Sequence, residues 1–347
     1  MGFRQSPQYI LALETNTGPD GISRIRSYVS LDKDLLEEIA VEKELLYTVP
    51  SKGYQVRAKQ VNSVGSIELS SSPLPSPSPD QVSEALLDAM KNDLGGIANA
   101  MVKFLDPKER ARVEALISRI HFDRELIEDA DWPQCFDAIN INSSDGGAAE
   151  NGLDSETENQ ILTELLEPWL GSVKSLKELN TLEILRSTLS QEQQRYLDES
   201  YPTSIEAPDG SKVPVRYIRN HSYKGDEESS TVTWRPMATA KLQQFFGAQK
   251  SPTVGPSESI SVTLSLVSPA GKPLAETSDL PFFWEKVYPS IRSEMRGKYP
   301  KHPWPEDPLQ AVATRKTKKQ LSSEEQSGSA ETKKGKGKSK RPRRKKK

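Results

Sequence analysis

The sequence predicts an α+β fold, and three observations lead there. Short runs of alternating apolar and polar residues occupy both ends of the folded part, helical periodicity fills the middle, and the end of the chain is low-complexity and basic. Hydrophobic residues make up only 34% of the 347 residues, and mean hydropathy is −0.65. Both values are low for a wholly compact chain, so part of it is expected to stay unfolded.

Residues 1–72 read as β-rich. The runs 9–14, 22–29, 43–49, 54–61 and 66–71 alternate, and Gly18-Pro19-Asp20-Gly21, Pro50-Ser51-Lys52-Gly53 and 62–65 mark turns between them. Residues 31–42 form a short amphipathic helix in this reading, with Asp32 as its N-cap. Five strands with an inserted helix suit a partial OB-like barrel. Residues 73–80 are a Pro/Ser linker.

Residues 81–200 form a helical region, with helices over 81–92, 95–105, 107–122, 156–173, 175–190 and 190–202. Asp106-Pro107 starts the third, with proline at the first helical position. An acidic stretch of small residues, 142–157, is expected to be a disordered insertion. Residues 201–310 form a C-terminal α/β module. It holds a strand at 212–218, a polar loop leading into a strand at 221–234, a short helix at 238–247 ended by Gly247, the strongest strand at 259–274, and an aromatic-faced helix from 281. Residues 311–347 are a disordered basic tail.

Net charge is −2, but from Arg315 to the end there are fifteen Lys and Arg against three acids, +12, which leaves −14 for the rest. An acidic body thus ends in a basic tail. A lone cysteine, Cys135, excludes an internal disulfide and points to a reducing, intracellular compartment, cytoplasmic or organellar. The tail is equally compatible with a nuclear address. No apolar run approaches the roughly 20 residues of a membrane span, so no membrane partner is expected.

Some chemistry is excluded by pattern. No G-x-x-x-x-G-K-[ST] run exists to cradle phosphates, and Gly335-Lys336-Gly337-Lys338 follows no strand. No acidic D-E-x-[HD] run exists to hold magnesium. His121, His221 and His302 are far apart, so no metal is expected. No catalytic residue, cofactor site or metal site is assigned. Cys135 reads as a small buried hydrophobe.

Against this background, residues 279–308 resemble the C-terminal signature of the HrpB family of DEAH-box ATP-dependent RNA helicases. Phe283-Trp284, Arg292, Glu294 to Gly297 and Tyr299 to Pro308 keep its pattern. Residues 192–217, 241–247 and 266–274 are similar in the same order. The resemblance is strong over 190–310 and fades over 1–314. Residues 142–157, 221–233 and the tail after 314 look like additions. The family's two RecA-like motor domains, its winged-helix domain and most of its helical ratchet region would lie before Met1.

The resemblance implies an accessory module that positions RNA for a motor, with ATP and Mg²⁺ belonging to that motor and none on this chain. The expected partners are RNA and a separately encoded or upstream helicase motor. The alternative is a stand-alone RNA- or ribosome-binding protein; a third reading is a scaffold docked on a motor.

Candidate RNA-binding residues follow from charge and aromaticity. Arg292, Arg296, Lys298 and Lys301, with Tyr299 and Trp304, offer cations beside stacking rings; the competing reading has Tyr299 and Trp304 closing the domain's own core and the arginines paired with Glu285 or Glu294. Arg24, Arg26, Arg57 and Lys59 alternate on strands and would share one barrel face, or be solvated surface. Arg341, Arg343 and Arg344 of the tail can contact phosphates without sequence selectivity. Phe282, Phe283, Trp284, Val287 and Ile291 read as core.

Overall fold

The computed structural model describes residues 8–127, 130–139, 154–223 and 230–321, with side chains outside 220–233. The chain divides into two compact units, one from residues up to Arg110 with Gln134–Ser187, the other from Ala111–Pro133 with Thr188 onward. This division falls inside the stretch read as one helical region.

In the first unit, β1 (Tyr9–Thr17) and β2 (Ser23–Leu31) form an antiparallel hairpin. Its turn follows from the sequence: Asp20 Oδ1 accepts from the Ile22 amide at 3.1 Å, and Gly21 supplies the positive φ of 71° that the turn requires. Alternation places Leu11, Leu13, Ile25 and Val29 on one face, and all four are about half-exposed. Helix α1 (Lys33–Ile39) is capped by Asp32, as expected.

Strands β3 (Val41–Val49), β4 (Gln55–Val64) and β5 (Ile67–Pro73) form a separate antiparallel meander. The five expected strands therefore exist, but they do not make one OB-like barrel. Helix α1 separates β2 from β3, and among the described residues these two share no ladder and no sheet closes. Gly53 turns the chain between β3 and β4 at φ 72°.

The two ends of the Pro/Ser segment are absorbed into elements, which leaves residues 74–77 between them. Strand β5 reaches Pro73, and α2 (Pro79–Asn92) begins behind Ser78 with a full capping box to Gln81. Helices α3 (Ile97–Lys103), α4 (Pro107–Leu126), α5 (Cys135–Ala138), α6 (Ser155–Leu170) and α7 (Thr181–Ser187) follow. Helices α2, α3 and α5 pack on α6, and Leu86, Met90, Ile97, Phe136, Leu162 and Leu166 fill the core. Cys135 is buried beside Phe136. The acidic insertion lies outside the described residues up to residue 153, and from Ser155 the chain is helical behind the N-cap Asp154.

The second unit takes α4 from Ala111, α8 (Gln191–Ser200) with a second capping box at Ser190, and a five-stranded sheet. The sheet comprises β6 (Ser204–Glu206), β7 (Lys212–Tyr223), β8 (Ser230–Lys241), β11 (Thr263–Val267) and β12 (Pro273–Thr277), in the order β12-β11-β8-β7-β6. Between β8 and β11 lies a small ladder, β9 (Thr253–Val254) with β10 (Ile260–Ser261). Only β8 and β11 pair in parallel within the large sheet.

One sheet face is buried through Val213, Val215, Tyr217, Ala238, Ala240, Leu264 and Leu266. This corrects the helix expected at 238–247. Ala238 to Lys241 continue β8, because pairing with β11 and burial of alternate alanines override their helix propensity. A single 3₁₀ turn, Leu242–Phe245, follows before Gly247. The chain then runs through α9 (Leu280–Phe282), a π-helical turn over Phe283–Val287, and α10 (Tyr288–Lys298).

Candidate functional site

Residues 299–308 contain Pro300, Pro303, Pro305 and Pro308, none of which has an amide hydrogen to donate. An extended segment of this kind satisfies its backbone mainly through its carbonyls, and here the surrounding elements supply the donors. Gln243 Nε2 donates to the Pro303 carbonyl at 2.7 Å, Arg292 Nε to Trp304 at 3.0 Å, and the Tyr288 hydroxyl to Pro305 at 2.8 Å. The Gly247 amide donates to Pro308 at 2.9 Å. Donors from the 3₁₀ turn, α10 and the loop behind the turn thus hold the segment as a clasp.

The ring of Trp304 is only 5% exposed, and its Nε1 donates to the Tyr299 carbonyl at 3.1 Å. Phe246, Phe283, Trp284 and Tyr288 form edge-to-face and tilted pairs with one another. Burial pushes the Tyr288 hydroxyl well above the ordinary tyrosine range. Of the residues read as core, Phe283 and Trp284 are buried, whereas Phe282 faces solvent. Phe245 and Phe246 are also buried.

The expected basic face of α10 is divided in its roles. Arg292 is consumed by the clasp and by Glu306, Nη2 to Oε1 at 3.0 Å, not by Glu285 or Glu294. Lys298 pairs with Glu294 one turn away. Tyr299 is half-buried, its hydroxyl 3.4 Å from that of Ser268. Arg296 and Lys301 are exposed, with no side-chain partner among the described residues. His302 Nδ1 is buried without a hydrogen-bond partner among the described residues. Burial, then the charge of Lys241, holds its imidazole below the ordinary histidine range.

The four strand cations do not share one face, because the strands that carry them lie in two sheets. Arg24, on the hairpin, is paired with Asp20 at 2.5 Å; this guanidinium holds the Asp20 carboxyl below the usual carboxylate range. Arg26 is exposed beside it. On the meander, Arg57 reaches Gln55 Oε1 at 3.1 Å. Lys59 pairs with Glu68 at 2.5 Å and lies 5.8 Å from the ring centre of Tyr47. Arg341, Arg343 and Arg344 lie outside the described residues.

Four cations passed over in the sequence reading, Lys212, Arg216, Arg235 and Lys241, lie on the open face of the large sheet. Alternation in K-V-P-V-R was visible for the first two. The register that adds β8 was not. Among the described residues no group of three or more His, Cys, Asp or Glu side chains could hold a metal, and no helix is long and apolar enough to cross a membrane.

Residues 165–308 match the family model of the ATP-dependent helicase C-terminal domain, HrpB_C. The ATP-dependent RNA helicase HrpB of Escherichia coli K12 is 29% identical over 259 residues, 74% of this chain and 27% of that protein. A crystal structure of the E. coli DExH-box NTPase HrpB is 25% identical with a TM-score of 0.50, covering 90% of this chain and 34% of that one. A second, of the E. coli DEAH/RHA helicase HrpB, is 22% identical with a TM-score of 0.44. The chain therefore spans about a third or less of the length of these relatives.

Proposed function

With residues 165–308 taken as an HrpB-type helicase C-terminal domain, we propose that this chain is the accessory part of an ATP-dependent RNA helicase: it holds and guides RNA for a motor that binds ATP and Mg²⁺. The observation that carries this reading is the domain match over 165–308, which includes the clasp and the helix that holds it. On this reading Arg292 and Trp304 set the path of the clasp, while Arg296 and Lys301 are the cations of that region left to meet phosphate. The OB-like reading belongs to the proposal through the meander alone, where Arg57 and Lys59 lie on one side of β4 with Tyr47 opposite Arg57. The tail, with Arg341, Arg343 and Arg344, adds contacts that do not depend on sequence.

The basic tail also favours a second reading, a stand-alone RNA- or ribosome-binding protein. One experiment separates the two: RNA affinity at graded salt, with and without residues 315–347, alongside ATP turnover. The helicase-accessory reading expects RNA affinity to survive tail removal and expects no ATP turnover by the purified chain, with or without RNA. Complete loss of binding without the tail would reject an RNA-guiding body, and measurable turnover would reject the absence of a motor.

A further inference from the structure

The large sheet of the second unit is covered on one side only. Along β7, Val213, Val215 and Tyr217 are buried, while Lys212, Pro214 and Arg216 between them are exposed. Along β8, Pro236, Ala238 and Ala240 are buried, while Arg235, Met237, Thr239 and Lys241 are not. Along β11, Thr263, Ser265 and Val267 alternate in the same way with the buried Val262, Leu264 and Leu266. The register aligns Arg216 with Met237, and Met237 with Thr263. The open face is thus a floor of the hydroxyls of Thr239, Thr263 and Ser265 with Met237, Pro214, Ile218 and Val267, and cations around it.

Those cations stand out against the composition. Residues 1–314 carry a net −14, yet this face offers Lys212, Arg216, Arg235 and Lys241 against two acids, Glu206 and Glu276. Arg235 shows the direction of the side chains, since it crosses the intervening strand β11 to reach Glu276 on β12 at 3.4 Å. Arg216 and Lys241 have no ion-pair partner among the described residues. Arg216 and Arg235 sit diagonally across the β7–β8 ladder, and Lys212 lies on β7 about 13 Å further along.

We propose that this open sheet face is a second track for single-stranded RNA, gripped through phosphates by Arg216, Arg235, Lys212 and Lys241, with the bases over the floor of Met237 and Thr239. The inference rests on the RNA-guiding reading and adds to it a surface remote in sequence from the 279–308 signature. A flat floor without base-edge donors in fixed pockets makes the track indifferent to sequence. Glu276 restrains it, because it competes with phosphate for Arg235.

The test uses the full chain with the fourteen Lys and Arg after Arg315, among them Arg341, Arg343 and Arg344, changed to Gln, so that the tail does not mask the body. Binding of a fluorescent uridine homopolymer is measured across a salt series. Arg216→Gln with Arg235→Gln is expected to weaken binding about tenfold and to lower the slope of log affinity against log salt by about 1 to 1.5. Glu276→Gln is expected to tighten binding about two- to threefold by releasing Arg235, an effect that loss of folding does not mimic. Unchanged affinity and slope in both variants would overturn the track and leave the RNA-guiding reading standing. No affinity in the tail-neutralised parent would remove both.

Discussion

Arg292 shows how much of a charged residue's meaning depends on what its neighbours lack. Its position one turn before Arg296 suggested a cationic stripe, but the proline-rich segment below needs donors, and the guanidinium supplies them to the Trp304 carbonyl and Glu306. Arg292→Ala should cost about 1–3 kcal/mol, since a charged hydrogen bond to a carbonyl is lost in a part-buried site. The Glu306 pair adds little because that carboxylate is 87% exposed. Arg292→Lys should recover less than half, because an ammonium cannot serve both acceptors in the same fork. Denaturant unfolding of the three proteins measures this. His302 makes a different prediction. Its folded-state pKa lies below the ordinary value, so near pH 6 the unfolded chain binds more protons than the folded one. The resulting stability is present in full above about pH 6.5 and is lost as pH falls through the lowered value. The melting temperature should therefore drop between pH 7.5 and 5.5, and His302→Gln should flatten part of that drop.

Among elements, a helix start is a local chemical event, yet of the caps at Asp32, Ser78, Asp154 and Ser190 only Asp32 was read from the sequence, while Ser78 was placed in the linker and Asp154 in the acidic insertion. Asp32, Ser78, Asp154 and Ser190 each accept an amide at the first turn, and at Ser78 and Ser190 the glutamine three residues on returns the bond. Ser190→Ala should cost about 1 kcal/mol, and Gln193→Ala less, as read by thermal unfolding followed by circular dichroism. Strand assembly is not a local event. Every strand run in 9–71 was identifiable, but nothing local states which strand neighbours which, and the hairpin and meander proved to be separate sheets. The helix expected at 238–247 failed for a related reason: its alanines fit either conformation, and the partner that decides, β11, lies more than twenty residues away.

For the whole molecule, the sequence signature at 279–308 was enough to find the family likeness, because its proline and aromatic spacing is unusual. Of its two readings of Trp304, the one that closes the domain's own core holds, since the ring is buried while Arg296 and Lys301 stay exposed; what the spacing did not reveal is that the Trp304 carbonyl and Glu306 take Arg292 in place of Glu285 or Glu294. The four cations of the open sheet were missed because they come from two strands joined by residues 224–229, and only register unites them. The clasp has one more consequence. Gln243, Tyr288 and Arg292 all close on main-chain oxygens, an atom that every amino acid carries. The grip therefore reads where the chain runs and is blind to which side chain sits at 303 or 305. Drift at those two positions can be absorbed provided the new residue keeps the extended course, whereas exchange of any of the three fingers cannot.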